Sequence, residues 1–220
     1  MPRTLPRAEP GTSRGQGART LGPRAQKTRQ RLLAATEALL ANQSVRDLSV
    51  VEIARKAGTS PATFYQYFED VEEATLRLAE QAAGEMPAVL EMIDRAWDGD
   101  GGLANARAIV DAFVRHWDAH RAVLLVRNLA ADEGDRRFQR VRQATLQPLL
   151  EHLAGRISAG QRAGRVDAKL SAAAAAAAMG AVLERLAAYH RELEMLGVSR
   201  EDLVETCARI LQQTVTGGAR

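Results

Sequence analysis

The sequence predicts an all-α fold, and two observations lead to that prediction. Apolar residues recur three and four positions apart along most of the chain, as they do on one face of a helix. An early example of such a face contains Leu32, Leu33 and Leu40. No segment alternates apolar and polar residues between turn signals, as half-buried strands do. We therefore expect helices throughout, arranged as a small N-terminal domain and a larger C-terminal one.

Composition and cysteine usage narrow the class of protein. The chain has 220 residues, which is enough to bury a substantial core. Its longest apolar stretch, Ala172–Met179, is too short to span a bilayer, and the first residues lack the apolar segment of a secretory signal. Cys207 is the only cysteine, which excludes an internal disulfide and fits a reducing compartment. We therefore expect a cytoplasmic protein without a membrane partner.

Charge is distributed unevenly along the chain. Residues 1–31 contain eight basic residues and one acidic residue, a net charge of +7, so the rest of the chain carries −4 of the total of +3. A basic start on an acidic body is typical of a protein that binds a polyanion at one end. A merely solvated tail would have the same composition. Residues 1–23 are rich in Pro, Gly and Arg without apolar periodicity, and they are predicted to be a disordered basic arm.

Helix start and stop signals place the elements of the second part. Asp70 is a suitable N-cap for a long helix, which Pro87 kinks or divides. A loop is expected at residues 98–102, and Gly197 should end the penultimate helix. Further helices are predicted at about 103–119, 121–131, 135–162, 168–195 and 200–214. The expected units are the arm (1–23), a three-helix domain (24–70) and a helical C-terminal domain (71–220).

The most informative stretch is Leu48–Phe68, which carries two helix starts a short distance apart. Ser49 and Glu52 have the spacing of a capping box, in which each side chain accepts a hydrogen bond from the other residue's backbone. This predicts a helix from Val50 that Gly58 ends, since glycine readily adopts the left-handed conformation required there.

A second helix start follows at Ser60, a capping residue, and Pro61, which is favoured at the first helical position. Two short helices joined by a glycine-containing turn of this length form a helix-turn-helix. Phe64 and Phe68 should pack inward. The residues left facing outward are Pro61, Ala62, Thr63, Tyr65, Gln66 and Tyr67.

These outward residues have the chemistry of a DNA-reading surface. Tyrosine and threonine hydroxyls donate to phosphate oxygens, Gln66 pairs with a base edge, and Ala62 or the Thr63 methyl fits a thymine methyl. The structural alternative is a helical hairpin whose tyrosines only cover a core. Because capping, turn and exposed face agree, we predict a three-helix, homeodomain-like helix-turn-helix domain that binds double-stranded DNA.

A family resemblance rests on the same stretch and its flanks. The helix end Leu39-Leu40, the segment Leu48–Ala54, the pair Ala57-Gly58 and the segment Thr63–Phe68 together resemble the TetR-type transcriptional regulators. The resemblance implies a recognition helix in the major groove and backbone contacts from the preceding helices. Besides the six outward residues, the DNA-binding residues that it implies are Arg24, Lys27, Thr28, Ser49, Val50 and Ser60. It also implies a homodimer on a near-palindromic operator, usually a repressor that a ligand releases.

One segment departs from the family pattern. Where the family commonly has a Pro-Ser pair followed by a phosphate-contacting lysine, this chain has Glu69-Asp70-Val71. The basic arm would compensate if it bound phosphates or the minor groove, and simple disorder of the arm is the alternative. A further resemblance, to the ethionamide-resistance type of TetR regulator, rests on Phe113, Trp117 and the pair Glu184-Arg185.

Effector-binding candidates lie in the C-terminal domain. Small-molecule cavities are mostly apolar, and Phe113 and Trp117 share one helix face. The candidate lining residues are Phe113, Trp117, Leu124, Gly180 and Leu183. They predict a small apolar effector, with ordinary core packing as the alternative interpretation.

Metal, cofactor and catalytic sites are not predicted. His116 and His120 are four residues apart on one helix, but the sequence suggests no third ligand. No glycine-rich phosphate loop, nucleophile elbow or pair of catalytic carboxylates is recognisable, so an enzyme is not expected.

Two apolar stripes at the C-terminus predict a dimer. One stripe suffices to pack a helix on its own domain, so a second favours a four-helix bundle across a two-fold axis. The predicted interface residues are Val182, Leu186, Leu203, Cys207, Ile210 and Leu211. The leading hypothesis is a ligand-responsive repressor that binds its operator as a homodimer. The alternative is a helical interaction or adaptor protein with non-specific affinity for nucleic acid.

Overall fold

The computed structural model describes residues 22–97 and 99–217, and the regular elements within these ranges are all helices. They are α1 (Pro23–Leu40), α2 (Val50–Lys56), α3 (Pro61–Phe64), α4 (Val71–Ala83), α5 (Pro87–Ile93), α6 (Gly99–Asp132), α7 (Arg136–Arg162), α8 (Ala172–Met195) and α9 (Arg200–Thr216). The predicted all-α fold is confirmed. The predicted basic arm lies outside the described residues except at its end, where Gly22 precedes α1 and Pro23 opens it.

A first apolar cluster holds the N-terminal helices together. Leu32 of α1, Ile53 of α2 and Phe64 of α3 are fully buried in it. The cluster continues into α4, and Val123 of α6 and Phe138 of α7 also belong to it. The N-terminal helices are therefore packed directly onto the C-terminal ones, and residue 70 marks a helix start within continuous packing.

A second apolar cluster fills the C-terminal domain. Helix α6 packs against α7, α8 and α9, and the fully buried side chains include Ile109, Leu149, Leu153 and Ile157. Burying one side chain of this size stabilises a fold by about 1.5–3 kcal/mol. This cluster forms the core of the C-terminal domain, to which the N-terminal helices are joined through the first cluster.

Helix α6 is interrupted at His120, whose backbone (φ −119°, ψ 18°) is not helical. The predicted interruption between residues 119 and 121 is therefore present. The loop predicted at residues 98–102 is wrong from Gly99 onward, because α6 already begins there. A Cβ atom at Gly102 would overlap the carbonyl oxygen of Trp97, so this glycine serves close packing.

Proline, serine and glycine mark other helix boundaries. Pro87 opens α5 and separates it from α4, as predicted. Helix α8 begins at Ala172, four residues later than predicted, because the Ser171 hydroxyl accepts the N–H of Ala174 (3.3 Å) and caps the helix there. Gly197, with φ 89°, follows the last turn of α8 as expected.

Helix α8 has the length and apolar composition of a membrane-spanning helix. In the structure it packs on α6, α7 and α9, and 39% of its most apolar stretch is buried. Core helices of globular domains meet the same criterion, so the composition of α8 does not by itself indicate a membrane.

Candidate DNA interface and effector domain

The start of α2 is fixed by the predicted capping box. The Ser49 hydroxyl accepts the N–H of Glu52 (3.3 Å), and the Glu52 carboxylate accepts the N–H (3.1 Å) and the hydroxyl (2.8 Å) of Ser49. These hydrogen bonds lower the pKa of Glu52, so the carboxylate stays ionised over a wider pH range. Because both partners are satisfied, these local bonds fix the residue at which α2 begins.

The turn between α2 and α3 follows the sequence prediction, but α3 is shorter than expected. Gly58 is left-handed (φ 64°), and the Ser60 hydroxyl accepts the N–H of Thr63 (3.2 Å). Regular helix ends at Phe64, after one turn. A turn then continues to Phe68, whose N–H donates to the carbonyl of Phe64 (3.1 Å).

Two aromatic rings anchor α3 to the body of the domain. Phe64 is fully buried, Phe68 is 2% exposed, and their ring centroids lie 5.4 Å apart. The guanidinium of Arg29 on α1 lies 5.5 Å from the centroid of the Phe68 ring, within the range of a cation–π contact. The opposite side of α3, where Tyr65 is 60% exposed, faces solvent.

The six residues predicted to face outward divide into two groups. Four are exposed, namely Pro61, Ala62, Tyr65 and Gln66. Thr63 and Tyr67 are half-buried, and the Thr63 hydroxyl lies 3.0 Å from that of Ser60. Tyr65 and Gln66 are therefore the two polar side chains among these six residues that are exposed to solvent.

We call residues 59–68, which contain α3 and its flanking turns, the α3 region. A groove of about 580 Å³ lies between α1 and this region, and it brings four predicted DNA-binding residues together. Its lining residues are Gly22, Pro23, Arg24, Ala25, Thr28, Arg31, Thr59, Thr63 and Tyr67. The sequence prediction missed Arg31 and Thr59. Arg31 follows Arg24 by two helical turns, and this spacing of basic residues was an available signal. Lys27 is exposed on α1 but does not line the groove.

The chemistry of this groove suits a phosphate backbone. Arg24 and Arg31 are exposed guanidinium groups, and Thr59 and Thr63 supply hydroxyls. Guanidinium and hydroxyl groups are common donors to DNA phosphates. The groove thus combines cations from α1 with donors from the turn and α3.

At the start of α2, the side chains of Ser49, Val50 and Val51 differ in how far they are exposed. Ser49 is exposed, but its hydroxyl is engaged by Glu52. Val50 packs against the N-terminal cluster, whereas Val51 is 62% exposed. The contact of Val50 with DNA therefore stays a prediction, and of the two neighbouring valines Val51 has the more exposed side chain.

In the Glu69-Asp70-Val71 segment, the Asp70 carboxylate and the backbone N–H of Glu69 take part in the start of α4. The Asp70 carboxylate accepts the N–H of Glu73 (2.6 Å), and the Glu73 carboxylate accepts the N–H of Glu69 (2.7 Å). The predicted N-cap at Asp70 is confirmed. These acidic groups therefore stabilise a helix N-terminus, where negative charge is favourable.

The five predicted effector-binding residues lie in the core. Phe113, Trp117, Leu124 and Leu183 are between 1% and 3% exposed and belong to the second cluster. A Cβ atom at Gly180 would lie 2.8 Å from Cδ2 of Leu150, so this glycine allows α7 to approach α8 closely. The burial of these residues in the packed interior favours the core-packing alternative.

A groove of about 760 Å³ opens instead beside α7, between the end of α6 and the start of α8. Leu146, Leu150 and Ala154 give it an apolar side, and Gln143 and Arg142 are among its polar residues. This mixture of an apolar wall and a few polar groups is typical of small-molecule sites.

An ion-pair network connects this groove to the interior. Arg142 lies 2.9 Å from Asp132 and 3.5 Å from Glu184, and Glu184 also lies 3.3 Å from the buried Arg127. Burial lowers the pKa of Arg127 to about 10, against the attraction of Glu184. Arg127 is therefore still a cation at neutral pH, and Glu184 balances its charge.

The predicted dimer residues fall on two sides of α8 and α9. Val182 and Ile210 are about two-fifths exposed, and Leu186 and Leu203 are half-buried. These four remain available to a second chain.

The prediction is wrong for Cys207 and Leu211, which are 2% and 0% exposed. Their spacing of four places both on the inner face of α9, where they belong to the second cluster. Burial raises the pKa of the Cys207 thiol to about 11, as expected for a packing cysteine.

The histidine pair also differs from expectation, since the structure supplies the third group that the sequence did not suggest. Glu85, from the segment between α4 and α5, lies beside both His116 and His120. Burial, together with the neighbouring His120, lowers the pKa of His116 to about 4, so its imidazole is neutral at pH 7.

A helix-turn-helix with a basic groove, mounted on an all-helical domain, defines the class of DNA-binding transcriptional regulators. The comparison with protein families specifies it further. Residues 32–73 match the family described as bacterial regulatory proteins, tetR family, and residues 90–219 match the tetracyclin repressor-like C-terminal domain. The chain belongs to the TetR family of transcriptional regulators and not to an enzyme family.

Individual relatives agree with this assignment. An uncharacterised helix-turn-helix-type transcriptional regulator of Haemophilus influenzae is 33% identical over 89 residues, which is 40% of this chain and 42% of that protein. This chain therefore spans about two-fifths of the length of the curated relative that it matches.

Solved structures share the fold over nearly the whole chain. The fatty acid degradation regulator FadR of Bacillus halodurans is 19% identical with a TM-score of 0.64, covering 90% of this chain and 97% of that one. FadR of Bacillus subtilis, solved in complex with stearoyl-CoA, is 17% identical with a TM-score of 0.61, covering 86% and 99%. At these identities the similarity shows the fold alone.

Proposed function

We propose that this TetR-family regulator is a cytoplasmic repressor that binds a near-palindromic operator as a homodimer and is released by a small apolar effector. The observation that carries the DNA-binding part is the groove where Arg24, Thr28 and Arg31 of α1 meet Thr63 and Tyr67. These residues come from α1, from α3 and from the turn that follows α3, and together they form one surface for a phosphate backbone.

Sequence reading is assigned to the exposed end of the α3 region. Tyr65 and Gln66 lie outside the groove and face solvent. With phosphates bound in the groove of the protein, these side chains point to the base edges in the major groove of DNA, where glutamine pairs with adenine. One such segment contacts few base pairs, so specific binding requires two copies about one turn of DNA apart.

The experiment is a DNA titration at fixed salt that compares DNA from upstream of the protein's own gene with a random duplex. We expect the upstream DNA to bind about a thousandfold more tightly or better. Equal affinity for both duplexes would favour the adaptor alternative, in which basic residues bind nucleic acid without reading it.

Two variants separate the two kinds of contact. Arg31→Ala should weaken binding to both duplexes alike and reduce the slope of log affinity against log salt by about 0.9, because one phosphate contact is lost. Gln66→Ala should weaken binding to the operator alone. Salt slopes that remain unchanged in Arg31→Ala would contradict the assignment of the groove.

The effector is proposed to bind in the groove beside α7. Its volume, about 760 Å³, lies within the range of small-molecule sites. Leu146 and Leu150 would contact the apolar part of the ligand, and Arg142 would contact an anionic or polar end. Because FadR of Bacillus subtilis was solved with stearoyl-CoA, ligands with a long apolar acyl chain are the first class to test, and acyl-CoA is the form in which that chain carries an anionic end.

Thermal denaturation tests the effector site. A ligand at a hundred times its dissociation constant stabilises the native chain by about 2.7 kcal/mol, so stearoyl-CoA should raise Tm and coenzyme A alone should not. Leu146→Trp should abolish the shift by filling the groove. The matched control is Leu129→Trp, at an exposed leucine outside the groove, which should keep the shift. A shift that survives in Leu146→Trp would place the effector elsewhere.

A further inference from the structure

Two imidazoles and a carboxylate converge where the N-terminal helices meet α6. Oε2 of Glu85 lies 2.9 Å from Nε2 of His120 and 4.0 Å from Nδ1 of His116. The three ligand atoms of this cluster all lie within 4.8 Å of one another. The residues come from two chain segments that are separated by about thirty residues in the sequence.

The local backbone explains why these side chains meet. A spacing of four places His116 and His120 on one side of α6, and their ring centroids are 5.1 Å apart. The non-helical backbone at His120 lies within this pair. Glu85 approaches from the short connection between α4 and α5, the point at which Pro87 restarts the helix.

We propose that Glu85, His116 and His120 form a binding site for a divalent transition-metal ion, with zinc as the cation that suits them best. Zinc takes two imidazoles and a carboxylate in tetrahedral sites, whereas magnesium and calcium prefer oxygen ligands alone. With metal–ligand bonds of about 2.1 Å, tetrahedral donors are about 3.4 Å apart, so small side-chain movements convert the observed cluster into the bound one. Three protein ligands leave the fourth position to water.

Burial supports this assignment. The side chains of His116 and His120 are 8% and 17% exposed, whereas that of Glu85 is 60% exposed. The two imidazoles are thus fixed by surrounding protein, and the carboxylate side remains open to an incoming cation. A site of this kind is partly preorganised and accessible.

A second carboxylate ties the site to the DNA-binding helices. Oε1 of Glu37, on α1, lies 3.7 Å from Nδ1 of His120. When Nε2 of a histidine binds a metal, its proton resides on Nδ1, and a carboxylate usually accepts that hydrogen bond. Glu37 is the carboxylate on this side of the ring, and an approach of about 0.7 Å would let it accept that hydrogen bond as a positioning residue. Metal binding would then fasten α1, the α4–α5 connection and the interruption of α6 to one another.

The experiment is a zinc titration of the full chain without an affinity tag, in competition with a chromophoric chelator. We expect one zinc ion per chain, and a loss of affinity of about a hundredfold or more in Glu85→Gln and His120→Gln. Glu37→Gln should lower the affinity by about tenfold, since it removes only the outer hydrogen bond. These measurements need no DNA, so they succeed or fail independently of the proposed repressor function.

The matched control is His152→Gln. His152 Nδ1 lies 2.9 Å from Asp94, an equally close histidine–carboxylate pair outside the cluster. This variant should bind zinc as the wild type does, and circular dichroism should show that each variant keeps its helices. Cobalt(II) should give the absorption of a tetrahedral complex with the wild type and not with Glu85→Gln. The proposal is overturned if the wild type binds zinc no better than Glu85→Gln, or if His152→Gln lowers affinity as much as His120→Gln.

Discussion

At the scale of single residues, the α3 region separates side chains that anchor from side chains that read. Phe64 and Phe68 are buried against α1, while Tyr65 between them is largely exposed. The backbone of this short segment is therefore held mainly by the two phenylalanines, and the Tyr65 ring adds an edge-to-face contact with Phe64 at a centroid distance of 5.8 Å. A change at Tyr65 should alter DNA binding without altering the fold.

We expect Tyr65→Ala to weaken operator binding by about 1–3 kcal/mol, the range for a side chain at a base edge or a phosphate. The measurement is a DNA titration at fixed salt, with urea unfolding to show that loss of the edge contact with Phe64 costs no more than about 1.5 kcal/mol of stability. Tyr65→Phe is the matched control, because it removes only the hydroxyl. Wild-type affinity in Tyr65→Ala would refute the assignment of this segment to DNA reading.

A second residue-scale prediction concerns the buried cation in the C-terminal domain. Arg127 is 3% exposed, and Glu184 is the carboxylate beside it. Glu184→Ala should destabilise the chain by about 3 kcal/mol, since it leaves a buried charge unpaired. Urea unfolding measures this cost. Glu192→Ala removes a more exposed partner, that of Arg121, and should cost less than about 1 kcal/mol.

The double variant Arg127→Met/Glu184→Leu gives a further check on that explanation. Removing both charges together should restore most of the stability lost in Glu184→Ala, because no unpaired charge remains. If the double variant is as unstable as Glu184→Ala, packing around these side chains dominates over charge.

The position and role of a residue could be predicted from the sequence when its contacts are with residues a few positions away in the chain. The capping residues Ser49, Ser60 and Asp70 were identified from sequence, because their partners lie three residues further on. Glu85 could not be paired with His116, since that proximity depends on how α4, α5 and α6 pack. The prediction that Cys207 lies at the dimer interface was wrong for a related reason. A helical spacing of apolar residues does not show whether that helix face packs on its own domain or on a second chain.

At the scale of helices, short elements depend on their caps. Helix α2 has only seven residues, too few to be stable in isolation, so its two reciprocal bonds at Ser49 and Glu52 matter more than they would in a long helix. A similar argument explains why the starts of α2 and α3 could be predicted from the sequence whereas the length of α3 was overestimated. The caps and the turn are determined by residues that are close together in the sequence, whereas no residue at the end of α3 signals that the helix stops there.

We expect Ser49→Ala to lower the free energy of unfolding by about 1 kcal/mol, the usual cost of a lost N-cap. Ser49→Thr should keep most of the stability, because threonine also accepts the N–H of Glu52. Urea unfolding compares the two variants with the wild type. Equal losses in Ser49→Thr and Ser49→Ala would show that the hydroxyl bond is not what stabilises α2.

At the scale of the whole molecule, the outer faces of α8 and α9 present an apolar surface that none of the described residues covers. On α8 a shallow groove is lined by Ala181, Val182, Arg185, Leu186, Tyr189, Glu192 and Leu193. Met195 and Leu196, at the end of the same helix, are about four-fifths exposed, and Ile210 on α9 is 43% exposed. Apolar side chains grouped in this way usually mark an interface. The sequence predicted two stripes here, and the structure shows that the outer part of each remains uncovered.

We expect this surface to form the homodimer interface, with α8 and α9 of each chain in a four-helix bundle. Such an interface buries about 2,000 Å² or more, so a buried carboxylate in it would be strongly unfavourable. The double variant Val182→Glu/Ile210→Glu should therefore be monomeric at micromolar concentration in sedimentation, with its helical content unchanged. It should also lose operator binding although its helix-turn-helix is intact, because two recognition segments are needed on a near-palindrome. Leu129→Glu is the matched control, since Leu129 is 51% exposed on α6, outside both helices of the predicted interface. The control should remain a dimer and bind DNA. A wild-type chain that sediments as a monomer at this concentration, or a Leu129→Glu variant that dissociates as readily as the double variant, would contradict the assignment of α8 and α9.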